Sequence, residues 1–272
     1  MTHCKLGIIG GGVMGEALLS RLLAEKVYQP HEVWVVELQP DRARHLEQQY
    51  GVRTLSDSGE AIAAANVLLL AIKPQVFDAI AERLRDEATD IEEDKPLILS
   101  IMAGVPLGKL QGVFPGRPIV RAMPNTPATV GAGIAAMASG QFVVPQHRSR
   151  AKLILEAVGE VVEVPESLMD AVTGLSGSGP GYVAVFIEAL IDGGVAVGLP
   201  RAIATQLAIQ TVRGTAQLLN ESGMHPAQLK DSVTSPGGTT IAGIACLERS
   251  GLRSASIEAV RAACARAKEL GA

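Results

Sequence analysis

Three glycines near the start of the chain have the spacing of a dinucleotide-binding turn. Residues 10–15 read GGGVMG, a G-x-G-x-x-G pattern that follows an apolar run and opens a segment with helical periodicity. In such a turn the first glycine permits a tight bend, the second lets the backbone approach a pyrophosphate, and the helix N-terminus supplies amide donors. The alternative is a glycine-rich turn without a ligand. The residues assigned to the cofactor here are Gly10, Gly11, Gly12, Val13, Met14 and Gly15.

Glu37 follows this pattern by roughly 20 residues, the spacing of the acidic residue that accepts hydrogen bonds from the ribose hydroxyls of NAD. Such a carboxylate would repel a 2′-phosphate. Arg42 and Arg44 begin the next predicted helix, and either side chain could turn toward a 2′-phosphate. These residues therefore leave NADH and NADPH open, and an ordinary exposed carboxylate at a strand end is the alternative for Glu37.

Further candidates follow other predicted strands. Because open α/β sheets bind ligands at the carboxyl ends of their strands, segments 71–74, 100–104 and 121–127 are expected at the cofactor edge. Lys73 would contact a phosphate or ribose there, and the alternative is a solvated lysine. Two prolines restrain segment 121–127, which suits a loop over a nicotinamide. The residues assigned to the cofactor in these segments are Ala71, Ile72, Lys73, Pro74, Ala103 and Asn125.

The segment TSPGGTTI at residues 234–241 places a glycine pair before a predicted helix. Free backbone amides at a helix N-terminus form a cradle for an anion without a cationic side chain, and a small carboxylate would fit. The hydroxyls of Ser235, Thr239 and Thr240 would then lie beside the anion. The alternative is that these hydroxyls act only as helix caps. The amides expected in the cradle are those of Gly237, Gly238, Thr239 and Thr240.

Other polar groups fit catalytic or metal sites less well. Glu188 and Asp192 share one helix face, but no histidine neighbours them in sequence. The five histidines lie in loops or polar segments without an H-x-x-x-H spacing, so we expect no metal site. Gly177 and Gly179 flank a serine as in a nucleophile elbow, yet no predicted strand precedes it, which favours a helix start.

Through about residue 160, short apolar runs alternate with segments of helical periodicity. This alternation predicts an α/β fold with a parallel sheet of βαβ units. Residues 68–70 are all leucine, as expected for a strand covered on both faces. The predicted strands are Lys5–Ile9, Val33–Val36, Val67–Ile72, Leu97–Ile101, Ile119–Ala122 and Val161–Val164. The predicted helices between them are Met14–Lys26, Asp41–Gln49, Ser58–Ala65, Gln75–Glu87 and His147–Gly159.

Beyond about residue 165, helices follow one another. The sequence therefore predicts a dinucleotide-binding domain over residues 1–163 and an all-helical domain over residues 164–272. Helix 181–198 is apolar around most of its circumference, which indicates burial against a partner subunit. The predicted helices of this domain are Gly181–Gly198, Pro200–Asn220, Pro226–Val233, Thr239–Ser250 and Ser254–Leu270.

Composition excludes several classes of partner. The net charge is −4 and no basic run is present, so nucleic acid is not an expected partner. Aromatic residues make up 3% of the chain, too few for base-stacking platforms. Three widely spaced cysteines fit neither a disulfide framework nor a zinc pattern. With no signal-peptide pattern and no apolar window of about 18 residues free of charge, we expect a cytoplasmic protein without a membrane span.

Several of these motifs together resemble the pyrroline-5-carboxylate reductase family, and the similarity extends from about Lys5 to Leu270. The motif at residues 229–240, which includes the predicted anion cradle, is highly specific. The resemblance implies a Rossmann-type domain followed by an all-α dimerisation domain, with dimers gathered into larger rings in some members. The motifs are residues 7–15 (GIIGGGVMG), 71–74 (AIKP), 121–127 (RAMPNTP), 174–180 (GLSGSGP) and 229–240 (LKDSVTSPGGTT).

The resemblance also implies reduction of (S)-1-pyrroline-5-carboxylate to L-proline by NADPH or NADH. By position, the substrate carboxylate would bind the amides of Gly238, Thr239 and Thr240, with Ser235 alongside, and the Thr240 hydroxyl would meet the ring nitrogen. Glu166 matches a family position near the substrate. Two positions depart from the family pattern. Val13 replaces an asparagine, and residues 37–39 (ELQ) replace small hydroxylated residues that favour NADPH, so Glu37 favours use of NADH.

The predicted chemistry needs little acid catalysis from the protein. An imine nitrogen must be protonated or strongly hydrogen-bonded before the C=N bond accepts a hydride, yet segment 235–240 contains no His, Asp, Lys or Cys. A substrate that is already protonated, or is protonated by solvent, would be oriented by Thr240, and positioning would provide most of the acceleration. Two alternatives are a related hydroxy-acid dehydrogenase, with Lys230 as a candidate general base, and a non-catalytic NAD(P) sensor.

Overall fold

Eight strands form a single sheet in the computed structural model, which describes residues 4–89 and 96–271. The strand order is β3-β2-β1-β4-β5-β6-β7-β8. Every residue of β1, β2, β4 and β5 is buried, which explains why these runs are apolar without alternation. The strands are β1 (Leu6–Ile9), β2 (Val33–Val36), β3 (Arg53–Leu55), β4 (Val67–Leu70), β5 (Leu97–Ser100), β6 (Ile119–Met123), β7 (Gly133–Ser139) and β8 (Gly159–Glu163).

Helices cover both faces of this sheet. Successive strand residues alternate between two apolar clusters, so that Ile8 and Leu69 pack in one cluster while Ile9 and Leu68 pack in the other. The first cluster includes Leu18 of the helix after β1. The helices of this part are α1 (Val13–Ala24), α2 (Pro40–Tyr50), α3 (Gly59–Ala64), α4 (Pro74–Thr89), α5 (Leu107–Val113) and α6 (Pro145–Glu156).

The prediction of an α/β fold on a parallel sheet is confirmed, with β1 to β6 all parallel and the last two strands as the exception. Strand β7 pairs antiparallel with β6 and parallel with β8, so β7 and β8 run opposite to the other six strands. The sequence analysis missed β7 because its residues, GIAAMAS, are mostly glycine and alanine, which have low strand propensity. It also missed β3, which has three residues, and α5, which has seven.

A continuous helical run with changing geometry follows β8. A 3₁₀ turn over Glu166–Leu168 leads into α7 (Met169–Val172) and then into a π-helical turn over Thr173–Gly177. Residues 166–196 are long and apolar enough, by length and composition alone, to cross a bilayer. Helices that pack against other proteins have the same properties, so this finding does not by itself indicate a membrane span.

The chain divides into two compact units. The first comprises residues up to Ser178 together with those from Ala262 onward, and the second comprises Gly179–Arg261. The first unit thus includes residues 164–178 and 262–271, which the sequence analysis assigned to the helical domain. The remaining helices are α8 (Gly179–Ala196), α9 (Arg201–Ser222), α10 (Pro226–Ser232), α11 (Thr239–Arg249) and α12 (Leu252–Gly271).

Helix α8 is not buried within the chain, although the sequence analysis identified it as a buried helix. Val185 is 67% exposed and Phe186 is 38% exposed. The helix packs against α9, where a Cβ atom at Gly194 would lie 3.0 Å from the Cβ of Ala204. The described chain therefore leaves much of the apolar surface of α8 uncovered.

Candidate active site

The glycine-rich turn joins β1 to α1, and the three glycines of its G-x-G-x-x-G pattern differ in what an added side chain would meet. Gly10 has φ +103°, and a Cβ atom there would lie 2.9 Å from the carbonyl oxygen of Ala71. A Cβ atom at Gly15 would collide with the carbonyl oxygen of Gly10. At Gly12, by contrast, an added Cβ atom meets no protein atom within 4 Å. The backbone at Gly12 therefore borders open space, as a turn that receives a pyrophosphate requires.

Glu37 lies at the end of β2 and contacts this turn directly. Its Oε2 accepts a hydrogen bond from the amide of Gly11 at 3.1 Å, and its Oε1 accepts one from the amide of Gln39 at 2.9 Å. An ionised carboxylate has about four acceptor positions, so both oxygens can still accept bonds from ribose hydroxyls. Glu37 is thus more than an ordinary exposed carboxylate at a strand end.

A cavity of about 290 Å³ extends from Glu37 to the loop after β4. Gly12 and Glu37 line one part of it, and Ile72 and Lys73 line another. Arg83 on α4 also borders the cavity, a contact that sequence analysis missed because helical periodicity alone does not show which sheet edge a side chain reaches. The turn, the acidic group and the cavity fit a dinucleotide held by its adenosine half near Glu37 and its pyrophosphate near Gly12.

Two of the residues assigned to the cofactor in the later loops differ in their surroundings. Ala103 lies in the turn between β5 and α5 and is partly exposed. The side chain of Asn125 is engaged within the first unit, since Nδ2 donates to the carbonyl oxygen of Ser176 at 3.2 Å and Oδ1 accepts from the amide of Ile134 at 3.0 Å. Asn125 therefore fixes the loop after β6 through its own side-chain amide.

Glu166 pairs with a buried arginine. Its Oε1 lies 3.2 Å from Nη1 of Arg121, whose side chain is only 6% exposed, and it accepts a bond from the amide of Leu107 at 2.6 Å. Asp170 lies 3.8 Å from the same guanidinium. Glu166 thus satisfies the first amide of α5, which has no intrahelical acceptor. The sequence analysis missed Arg121, although a charged residue within the apolar run IVRAM was a signal for a buried ion pair.

The predicted anion cradle lies in the second unit. Gly238 is the N-cap of α11 with no side-chain cap, and its amide donates to the carbonyl oxygen of Ser235 at 3.1 Å. Gly237 has φ +68°, a conformation that favours glycine. The amide of Gly238, which was expected in the cradle, is thus engaged within the turn. The amides of Thr239 and Thr240 begin the helix and have no intrahelical acceptor, and both residues are at least partly exposed.

Lys230 lies outside segment 234–241, which contains the predicted anion cradle. Its Nζ lies 2.7 Å from Oδ1 of Asp231, and it borders a separate groove of about 450 Å³ that is lined mainly by α11 and α12. Ile244 and Leu247 are among the apolar residues of this groove. This position gives no support to the role of a general base that the hydroxy-acid alternative would require.

Comparisons with known proteins cover both units. Residues 166–270 match the family model for pyrroline-5-carboxylate reductase dimerisation. Residues 5–104 match the model described as NADP oxidoreductase coenzyme F420-dependent. Among curated proteins, the pyrroline-5-carboxylate reductase of a Synechocystis strain is 59% identical over 267 residues, covering 98% of each chain.

Solved structures agree with these matches. A pyrroline-5-carboxylate reductase from Coxiella burnetii aligns with a TM-score of 0.91 at 34% identity, covering 100% of both chains. Pyrroline carboxylate reductase from Plasmodium falciparum, solved with NADP bound, aligns over 100% of both chains with a TM-score of 0.88 at 30% identity. The fold, the matched dimerisation model and the full-length identity lead to one conclusion: the chain belongs to the pyrroline-5-carboxylate reductase family.

Proposed function

We propose that the protein reduces (S)-1-pyrroline-5-carboxylate to L-proline, the last step of proline biosynthesis, with NADH or NADPH as reductant. Membership of the family supports this assignment. The observation that supports it in the structure is the N-terminus of α11, which has no side-chain cap and carries accessible threonine residues where a carboxylate would bind. The turn at Gly12 and the carboxylate of Glu37 support the dinucleotide.

The proposed chemistry adds a hydride to the imine carbon and a proton to the imine nitrogen. When bound, the reduced nicotinamide supplies the hydride. The π electrons of the C=N bond move onto nitrogen as the new C–H bond forms, so a nitrogen that is already protonated ends as the neutral secondary amine. Segment 235–240 provides no carboxyl, imidazole, ammonium or thiol group, and a threonine hydroxyl is a poor acid. The proton therefore comes with the substrate or from solvent.

The residues of α11 would bind and orient this substrate. The amides of Thr239 and Thr240 receive the carboxylate, with Ser235 alongside, and the helix dipole favours the negative charge. The amide of Gly238 is already donated to the carbonyl oxygen of Ser235 and holds the turn that precedes the helix. The hydroxyl oxygen of Thr240 accepts a hydrogen bond from the protonated ring nitrogen and thereby fixes which face of the imine is presented. Orientation of this kind is worth several orders of magnitude in rate.

Replacement of Thr240 tests the proposed role directly. Thr240→Val keeps the shape and removes the hydroxyl, and we expect kcat/KM for pyrroline-5-carboxylate to fall by roughly 10- to 1000-fold, the range for one donor in a catalytic site. Cofactor affinity should hardly change. If Thr240 only stabilises the helix end, the same change lowers stability by about 1 kcal/mol and leaves turnover of the folded enzyme intact.

Thr239→Val is the matched control, because it removes the same hydroxyl one residue earlier on the same exposed helix end. Turnover and melting temperature are measured on the same preparations. An equal loss from both substitutions would assign the effect to the backbone cradle and contradict a specific role for the Thr240 hydroxyl.

The position of Glu37 leads us to infer that NADH serves at least as well as NADPH. The carboxylate borders the cavity assigned to the adenosine half and would face the 2′-phosphate of NADPH as a like charge. Glu37→Ser should therefore raise the kcat/KM ratio of NADPH over NADH by roughly 5- to 30-fold, equivalent to about 1–2 kcal/mol for a partly exposed charge contact. Steady-state kinetics with both cofactors measure this ratio, and a strongly NADPH-selective wild type with an unchanged variant would contradict the inference.

We also propose that the protein is a homodimer through its second unit. The uncovered apolar residues of α8 and the match to a dimerisation family over residues 166–270 support this assembly. The cysteines at 4, 246 and 264 are all free, which is compatible with the reducing environment of the cytoplasm.

A further inference from the structure

The glycine-rich turn is held by charged side chains on both sides of one peptide unit. The amide of Gly11 donates to Oε2 of Glu37 at 3.1 Å, and the carbonyl oxygen of Gly11 accepts from Nε of Arg42 at 2.7 Å. Glu37 directly follows β2, and Arg42 lies in the first turn of α2. A single residue of the turn thus has its donor and its acceptor occupied by groups of opposite charge.

Arg42 is in turn held by Glu16 on α1. Its Nη2 donates to Oε2 of Glu16, and the other oxygen of Glu16 accepts from Oη of Tyr50 at 2.9 Å and lies 3.1 Å from Nε2 of His45. Burial raises the pKa of Glu16, but the hydrogen bonds from Arg42, Tyr50 and His45 outweigh it and lower that pKa below its ordinary value. Glu16 is therefore ionised at neutral pH and compensates the charge of Arg42.

These contacts use two different nitrogens of the guanidinium. Nε holds the glycine-rich turn and Nη2 holds the first turn of α1, and these two donors are fixed relative to each other in one plane, unlike those of an ammonium on a flexible stem. A 2′-phosphate would have to compete with Glu16 for Arg42. Arg44, two residues further on, pairs with Asp41 alone among the described residues, and these two side chains are 67% and 93% exposed.

We propose that Arg42 is a positioning residue that presets the glycine-rich turn for the pyrophosphate of either dinucleotide, rather than a ligand of the 2′-phosphate. The proposal rests on the proposed binding of the dinucleotide at this turn. Because Arg42 acts through Gly11, its effect falls on the part of the cofactor that NADH and NADPH share. Holding a turn in its bound conformation improves affinity by reducing the ordering required on binding.

Three variants test this proposal: Arg42→Ala, Arg42→Lys and, as the matched control, Arg44→Ala. Dissociation constants for NADH and NADPH are measured by fluorescence titration, together with KM, kcat and melting temperature. We expect Arg42→Ala to weaken both cofactors by a similar factor of roughly 5- to 50-fold, the effect of losing one charge-assisted hydrogen bond. The kcat at saturating cofactor should stay within about twofold of wild type, because the reacting groups are untouched.

The lysine variant separates geometry from charge. Arg42→Lys keeps a positive charge near the turn but replaces two donors fixed in one plane by a single ammonium on a flexible stem, so most of the loss should remain. If Arg42→Ala does not fold, Arg42→Lys still provides the comparison. Arg44→Ala removes an equal charge from the same helix and should leave both dissociation constants unchanged.

Three results would overturn the proposal. A loss confined to NADPH would make Arg42 a ligand of the 2′-phosphate. If Arg42→Ala binds both cofactors with wild-type affinity and only its melting temperature is lower, the role of Arg42 is purely structural. Full affinity in Arg42→Lys would show that charge alone suffices. Failure of the underlying cofactor assignment is separate, because Gly12→Val would then bind both cofactors like wild type.

Discussion

At the scale of single residues, Gly12 differs from Gly10 and Gly15 because no described atom of the protein leaves too little room for a side chain there. Side chains at Gly10 and Gly15 would collide with backbone atoms, whereas one at Gly12 would project into open space. The sequence pattern predicts all three positions because each depends on local geometry. It cannot separate those required by packing from the one required by a ligand, since that difference depends on which atoms the fold brings against each glycine, such as the carbonyl oxygen of Ala71 beside Gly10.

Gly12→Val is therefore expected to abolish dinucleotide binding while sparing the fold. The side chain would occupy space assigned to the pyrophosphate, and affinity should fall by at least roughly 100-fold, the effect of removing the phosphate interactions of the turn. Fluorescence titration with NADH and NADPH measures the loss, and circular dichroism with thermal melting checks the fold. Gly15→Val is the contrasting variant, since it should lower the melting temperature as well. Unchanged affinity in folded Gly12→Val would exclude this turn as the cofactor site.

At the scale of elements, the ion pair of Arg121 and Glu166 links β6 to the start of α5 and to the 3₁₀ turn after β8. The paired residues are separated by 45 positions in sequence. No local pattern predicts such a pairing, and the same holds for β7, whose antiparallel position depends on edge pairing with β6 rather than on its own residues. Strands β1, β2, β4, β5 and β6 were predictable because burial on both faces leaves continuous apolar runs.

The ion pair leads to a prediction about stability. Glu166→Gln removes the charge beside a buried guanidinium and weakens the acceptor for the amide of Leu107, so the free energy of unfolding should fall by about 1–3 kcal/mol. Urea unfolding measures this change, and kcat/KM measured on the folded variant tests the family position near the substrate. Glu163→Gln is the control. Its pair with Arg148 is about half exposed on both sides, so its removal should cost at most about 0.5 kcal/mol.

At the scale of the whole molecule, the second unit has an apolar surface that the described residues of the chain leave uncovered. The apolar circumference of α8 was predictable from sequence, and so was the need for something to cover it. Its exposure in the structure, at Val185 and Phe186 for example, shows that the cover does not come from the described residues of the same chain. A second copy of the chain, as proposed above, would supply that cover.

Phe186→Asp is expected to weaken that assembly. In the proposed dimer the new carboxylate would be buried without a partner, which is costly enough to shift the particle toward monomer or to reduce solubility. Analytical ultracentrifugation over a range of concentrations measures the change. Leu153→Asp, at a 49% exposed position on α6 of the first unit, is the control and should leave the particle size unchanged. A wild-type protein that is active as a monodisperse monomer would contradict the proposed dimer.

The C-terminal part of helix α12 completes the first unit, although it is the last part of the described chain to be synthesised. Its residues from Ala262 onward belong to the first unit, where Ala267 is buried and Leu270 lies close to Gly104, yet the ribosome adds them only after the entire second unit. At ordinary rates of translation the emerging nucleotide-binding unit waits roughly 5–15 seconds for this segment after Ser178 has been added. The unit that begins first in synthesis is thus completed last, and until then the surface that α12 will cover is available to chaperones or to other nascent chains.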